Sequence, residues 1–233
     1  MPRKARIVLE GCPHHITQRG NNRQEVFFVN DDRTVYLELL KEQSGKFGLS
    51  ILAYCLMSNH IHIIAIPRNA DSLAKAIGRT HLLYTQYVNR MHGRSGHLWQ
   101  NRFHSCVLDG RHLWKAMRYV EQNPVRAKMA QNAAQYKYSS AKAHVESFDT
   151  QGLLDMNWWR EHIGRRDWEQ TLQVRLSGEY ISRLKLAISR GRPLAGDSFM
   201  SKMEKLVGKR LRPLPVGRPT KTKSPPESVG NAD

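Results

Sequence analysis

A chain of 233 residues, 40% of them hydrophobic, can pack one sizeable domain with an appendage or two small domains. Its 37 lysines and arginines against 20 acidic residues give a formal charge of +17, which draws polyanions and adds the counterion-release contribution to nucleic-acid affinity; a basic ribosomal protein or a membrane-surface protein would carry a similar charge. Three widely spaced cysteines, Cys12, Cys55 and Cys106, exclude a disulfide framework and a zinc knuckle. The N-terminus lacks a long apolar h-region and no apolar run reaches bilayer length, so a cytoplasmic protein with no membrane partner is expected, nucleoid-associated if its polyanion is DNA.

His14-His15-Ile16-Thr17-Gln18-Arg19 reads as a first strand, ended by the polar turn Gly20-Asn21-Asn22. Asp31-Asp32 can cap a helix that runs through Tyr36, Leu37, Leu39 and Leu40 to a break at Ser44-Gly45. Two apolar, β-branched runs follow, 49–58 and 60–67, with only Ser58-Asn59 between them, as in a tight hairpin. Asp71 or Ser72 opens a long helix in which Leu73, Ala76, Ile77, Leu83, Tyr84, Tyr87, Val88 and Met91 recur at three- and four-residue spacing. The stretch 98–108 contains a fourth strand. Asp109-Gly110 then turns into a helix from Arg111 to about Gln122, with Leu113, Met117 and Val120 as its buried stripe. This β-α-β-β-α-β order predicts an α+β fold, a ferredoxin-like (RRM-like) antiparallel sheet with helices on one face and the other face open to a ligand, the final helix at 111–122 crossing near that face or its edge.

Beyond about residue 150 the texture changes, which divides the chain into a main unit at 1–150, carrying the predicted sheet, and a helical, basic C-terminal extension at 151–233. Trp158, Trp159 and Trp168 suggest a small helical element, and a second amphipathic helix covers about Ser198 to Val207. From Lys205 to Lys223 there are seven basic residues and no acidic one, followed by Ser-, Pro- and Gly-rich sequence with little to fold around. Such a tail could lie along a nucleic-acid groove or remain solvated.

The most informative feature is His60-Ile61-His62. Residues two apart on a strand project from one face, roughly 7 Å apart along the chain. A core strand gains nothing from two rings that each need a polar partner, whereas two neutral imidazoles aimed at one point form half of a divalent-metal site. A working site needs further ligands with positions left for substrate. On the 111–122 helix, His112, Lys115, Tyr119 and Asn123 form a polar stripe that could supply one. Asn123 precedes Pro124, so it could equally cap the turn that Pro124 begins.

His60-Ile61-His62, Trp99-Gln100-Asn101-Arg102-Phe103 and Arg118-Tyr119-Val120-Glu121-Gln122-Asn123-Pro124-Val125-Arg126-Ala127 together resemble the REP-associated tyrosine transposases of the HUH single-tyrosine superfamily. Arg19-Gly20-Asn21-Asn22-Arg23 resembles that family's first-strand exit, and Gly191-Arg192-Pro193-Leu194 with Gly217-Arg218-Pro219 its C-terminal extension. Lys128-Met129 departs from the family's usual glycine and branched aliphatic. The resemblance implies that His60 and His62 are metal ligands, Asn123 a third, and Tyr119 the nucleophile, with Mg²⁺ or Mn²⁺ as the ion.

Such a set would act on single-stranded or hairpin DNA, as an endonuclease and strand transferase working through a covalent 5′-phosphotyrosine. Arg19, Arg23, Arg102 and Arg126 are expected on phosphates, Trp99 stacked on an extruded base, and Lys115 beside Tyr119, favouring the phenolate. A non-catalytic ferredoxin-like DNA- or RNA-binding module and a nuclease that activates water are the competing readings. A homodimer, with Tyr119 acting in its own subunit or in its partner's, fits the same residues.

Overall fold

The computed structural model describes residues 6–163 and 167–212. Its first half has the expected order: β1 (His14–Arg19), α1 (Asn30–Phe47), β2 (Leu49–Leu56), β3 (His60–Pro67), α2 (Ser72–Met91), β4 (His104–Val107) and α3 (Gly110–Glu121). The four strands form one antiparallel sheet in the order β2-β3-β1-β4.

Local chemistry sets the boundaries. Asp32 does not cap α1 from outside; it lies within the first turn, and its Oδ2 accepts the backbone N–H groups of Phe28 (2.7 Å) and Val29 (3.0 Å). The helix also runs past Ser44-Gly45 to Phe47. Gly48, at φ +64°, supplies the left-handed residue that ends it and turns the chain directly into β2. Met91, expected on the buried stripe of α2, is exposed, and that stripe is completed instead by Thr80 and His81.

The β1/β3 and β1/β4 registers place His15, Thr17, His60, His62, Ile64, His104 and Cys106 on one face of the sheet, with Ala53 and Cys55 beside them on β2. Ile16, Ile61 and Ile63 point the other way, into the core with α1 and α2. The first face is not open, as the sequence had suggested. Ala53, Cys55, Ile64 and Cys106 are at most 1% exposed, so this face needs a cover of its own. α3 lies across β2 and β3, and α8 (Gly178–Arg190) lies against β4 and β1.

Four short helices link these covers: α4 (Asn123–Arg126), α5 (Ala141–Glu146), α6 (Met156–His162) and α7 (Trp168–Gln173). α9 (Asp197–Val207) follows α8, close to the helix expected there. Trp159, Trp168, Leu172, Tyr180 and Leu184 belong to the same apolar core as the sheet, so the segment after residue 150 packs as part of the domain. Of the basic stretch 205–223, Lys205 lies in α9 and Arg212 bonds Glu204, while the Gly217-Arg218-Pro219 motif and the rest of the chain after residue 212 lie outside the described residues.

Glu121, at the end of α3, ties this half together. Its fully buried carboxylate accepts Ser140 Oγ (2.5 Å) and His144 Nδ1 (2.6 Å) on one oxygen, and Trp168 Nε1 (2.7 Å) on the other. Glu121→Ala leaves two buried donors, His144 Nδ1 and Trp168 Nε1, unpaired, while Ser140 Oγ keeps the Tyr54 carbonyl (3.3 Å), and should cost about 3–5 kcal/mol, within the range for breaking a buried charged network. Urea unfolding should show this as a lower midpoint at unchanged slope.

Candidate active site

β3 delivers His60 and His62 to the same face, with ring centroids 5.1 Å apart and planes nearly perpendicular. Asn59 Nδ2 donates to the Arg23 carbonyl (3.0 Å), which turns Asn59 Oδ1 toward His60 Nδ1 at 2.7 Å. An amide oxygen only accepts, so His60 carries its proton on Nδ1 and keeps the Nε2 lone pair. His62 Nδ1 lies 2.9 Å from His15 Nε2. Both Nδ1 atoms are therefore engaged, so Nε2 is the nitrogen that each ring can offer to a cation; at His60 the Asn59 contact leaves it a lone pair, and at His62 this depends on which ring of the His15–His62 pair donates.

Burial keeps these rings neutral. His60 is pushed down to about 4 by desolvation, with Arg19 adding to it, and His15 to about 3 by desolvation alone. His62 is held well below the ordinary histidine value, first by desolvation and then by the charges around it. Two neutral imidazoles with held Nδ1 atoms suit a divalent ion with open positions. Among the described residues, no cluster of three or more His, Cys, Asp and Glu side chains completes the set.

Tyr119, on α3, is 4% exposed and stands edge-on to both His62 (5.6 Å) and His15 (5.9 Å). Burial raises its phenol pKa, and Arg126 opposes that rise by its charge and by hydrogen bonding to the tyrosine side chain. The Arg126 guanidinium lies 4.2 Å over the Tyr119 ring and donates to the Tyr119 carbonyl (2.7 Å) and to Asn123 Oδ1 (2.6 Å). The helix break at Gln122 lets Asn123 and Pro124 open a new turn that carries Arg126 back to Tyr119.

Around the histidines and Tyr119 is an open cleft of about 570 Å³ whose rim includes Arg19, Arg23, Gln100 and Asn101. Arg19 donates through Nε (3.2 Å) and Nη2 (2.8 Å) to Gln100 Oε1. Gly20 has to be glycine here, since a Cβ would fall 2.3 Å from the Gln24 carbonyl oxygen and 2.8 Å from Val26 Cγ1. α8 closes the opposite side with Lys185 and Ser189, one helical turn apart.

Five of the expected site residues are placed differently by this geometry. Asn123 does not line the cleft: its Oδ1 is held by Arg126 and its Nδ2 donates to the Val120 carbonyl (3.3 Å). Trp99 is core, stacked on His81 at 4.5 Å and packed against Tyr36 and Tyr84, so neither ring face is free for a base. Lys115 projects from α3 over the Tyr180 ring (5.4 Å), and Arg126 takes the place beside Tyr119 expected of it. Arg126 is thereby committed to the tyrosine rather than displayed to a phosphate. Arg102 is exposed but does not line the cleft, and its charge bears on Arg6.

The structure thus brings together Arg19, Arg23, His60, His62 and Tyr119. It adds His15, Thr17, Gln100, Asn101, His104, Lys185 and Ser189, which the sequence reading did not single out. His15, Thr17 and Arg19 alternate on β1, a signal that becomes readable once that strand is paired with β3.

Residues 8–123 match the model of the IS200-like transposase family. Among solved structures, a REP-associated tyrosine transposase bound to a REP hairpin is 17% identical with a TM-score of 0.53, over 68% of this chain and 91% of that one. A putative transposase from Deinococcus radiodurans R1 is 16% identical with a TM-score of 0.37, over 52% and 97% of the two chains. A bacterial tRNA(His) guanylyltransferase-like protein in complex with ATP is 14% identical with a TM-score of 0.36, over 71% and 77%. No curated protein matches the chain. The first of these structures shows a shared fold.

The buried histidines also make the domain sensitive to acid. His14, His15, His60 and His81 are pushed by burial to about 4, 3, 4 and 3, against about 6.5 when unfolded. Between pH 6.5 and 4 the unfolded chain binds more protons than the folded one. Their contribution is therefore intact above pH 6.5 and lost as the pH falls toward 4, by up to about 1.4 kcal/mol per pH unit for each histidine. Urea unfolding at a series of pH values should show this decline; equal stability at pH 7.5 and 5 would contradict it.

Proposed function

This chain belongs to the IS200-like transposase family through residues 8–123, and we propose that it cuts and rejoins hairpin-forming single-stranded DNA by way of a covalent bond to Tyr119. The observation that carries this reading is the placement of the Tyr119 ring edge-on to His62, at a basic cleft in which two imidazoles present unengaged Nε2 atoms. The hairpin is the DNA bound by the REP-associated relative, and its use by this chain is part of the proposal.

In this scheme Tyr119 Oη attacks the phosphorus of the scissile phosphodiester. The P–Oη bond forms, the P–O3′ bond breaks, the phenol proton is lost, and the departing oxygen gains a proton to become a 3′-hydroxyl. The bond energy stays in the phosphotyrosine, so the 3′-hydroxyl of another strand can reverse the step and join ends. Arg126 favours the phenolate by standing over the ring. Arg19, Arg23 and Lys185 line the cleft as positive charges for the DNA backbone, and Ser189 adds a hydroxyl one turn from Lys185.

His60 and His62 would hold a divalent ion, Mg²⁺ or Mn²⁺, through Nε2. When bound, the ion supplies charge stabilisation at the phosphate. Asn123 is not proposed as a ligand in this arrangement, because an ion drawn to its Oδ1 would meet the guanidinium already bound there.

Incubation with end-labelled hairpin DNA and Mn²⁺ should give a denaturation-resistant protein–DNA adduct that is absent in Tyr119→Phe. Cleavage that survives Tyr119→Phe would assign the site to a water-activating nuclease, and binding without cleavage to a non-catalytic module. Adduct formation should also rise with pH between 7 and 9, because burial holds the phenol above its ordinary value. Arg126→Met should be slower throughout that range, by roughly tenfold for each unit by which the phenol pKa climbs. Equal rates in Arg126→Met and the unsubstituted protein would remove Arg126 from the mechanism.

A further inference from the structure

His15 is a buried imidazole at the site that the reaction scheme above does not use. Its side chain is 0% exposed, on the same sheet face as His62. It makes one hydrogen bond, from Nε2 to His62 Nδ1 at 2.9 Å, while its Nδ1 is buried without a partner. As core filler this is a poor choice, since an aliphatic or phenyl side chain would bury apolar surface with no orphaned nitrogen. The neighbouring histidine on β1 shows the contrast: His14 has both ring nitrogens paired, Nδ1 with the Cys12 carbonyl (2.8 Å) and Nε2 with the Leu9 N–H (3.2 Å).

The bond between the two rings contains one proton, so their tautomers are linked. If His15 Nε2 donates, His62 accepts on Nδ1, carries its own proton on Nε2 toward the cleft, and cannot bind a cation there. If His62 Nδ1 donates, His62 Nε2 is a lone pair facing the cleft, and the His15 proton moves to the unpartnered Nδ1. Asn59 imposes the second arrangement on His60 through an oxygen that can only accept. At His62 the corresponding partner is His15.

We infer that His15 is a positioning residue of the cation site: by accepting from His62 Nδ1–H, it holds the His62 ring in place and turns its Nε2 lone pair toward the cleft. The inference rests on the proposed reading of His60 and His62 as cation ligands. Its two competing demands, an acceptor for His62 and a buried unpaired N–H on itself, make the pair change tautomer when the cation binds. In the cation-free protein the resting state has His15 Nε2–H donating, because a buried N–H without an acceptor is the less tolerated defect.

Mn²⁺ binding, followed by the electron paramagnetic resonance of the free ion in a Tyr119→Phe background, tests the positioning. His15→Leu should weaken the affinity about 10- to 100-fold, the range for loss of a partner that orients a ligand, and His15→Gln, whose amide oxygen can accept, should recover part of it. Affinity within twofold in His15→Leu would overturn the inference. If the parent protein binds no Mn²⁺, the cation reading of His60 and His62 fails and takes this inference with it. Should His15→Leu not fold, histidine-selective ¹⁵N NMR of the parent protein decides. A coupling across the N–H···N bond, with His62 Nε2-protonated alone and Nδ1-protonated with Zn²⁺, is the expected result. Absence of that coupling, or an unchanged tautomer on binding, overturns it.

Discussion

The site depends on the register between β1 and β3. That register sets Thr17 against His62 and Arg19 against His60, and it puts His15 within hydrogen-bond reach of His62. A slip of one residue in β3 would send both histidines into the core with α1 and α2 and bring Ile61 and Ile63 to the cleft side. Ile16, Ile61 and Ile63, all 0% exposed, oppose that slip. The hairpin turn is also pinned, by the Val26 N–H on the Ser58 carbonyl (3.0 Å) and the Gly20 N–H on the Asn59 carbonyl (2.9 Å). The same turn carries Asn59, which orients His60. Apolar packing on one face therefore fixes polar geometry on the other.

The charge distribution follows a related logic. A strongly basic chain attracts DNA, yet protonated imidazoles would lose the lone pairs that a cation needs. The proposed roles thus set two requirements, which lie apart in space. Arginine and lysine side chains line the cleft, where solvent screens them from one another, while the imidazoles lie deeper, where desolvation keeps them neutral. Arg126 occupies a third position, stacked on Tyr119 and bonded to Asn123. From there it acts on the phenol, its charge also helps to keep His62 neutral, and it satisfies Asn123 Oδ1 in the same contact.

Much of this was legible in the sequence. The strand and helix order through residue 121 followed from periodicity and turn residues, because each element has a strong local pattern. The His60–His62 pair could be placed on one face for the same reason. What the sequence did not disclose depended on contacts between distant segments. Trp99 was open to a reading as a stacking platform until the fold enclosed it among His81, Tyr36 and Tyr84. Lys115 and Arg126 are both basic and both near Tyr119 in sequence; only the break at Gln122 decides which one returns to the ring. The second cover of the sheet was missed because α8 begins 57 residues after α3 ends, and nothing local announces what it packs on.

That second cover changes how the C-terminal third should be regarded. Tyr180 Oη donates to the His112 carbonyl (3.1 Å), and the Leu194 N–H bonds the Val107 carbonyl (2.8 Å), so α8 is fastened at both ends to the sheet and to α3. Glu121 meanwhile binds α3 to α5 and α7 through Ser140, His144 and Trp168. α3 carries Tyr119 on one side and Glu121 on the other, so the helix that presents the phenol is clamped between the sheet and the C-terminal helices. A ferredoxin-like sheet alone would leave the Tyr119 helix held by one side and the cleft without Lys185. The residues after 150 are thus part of the machinery that positions the tyrosine, and their sequence reads as an appendage because its anchors, Trp159, Trp168, Leu172 and Leu184, are spread over several short helices.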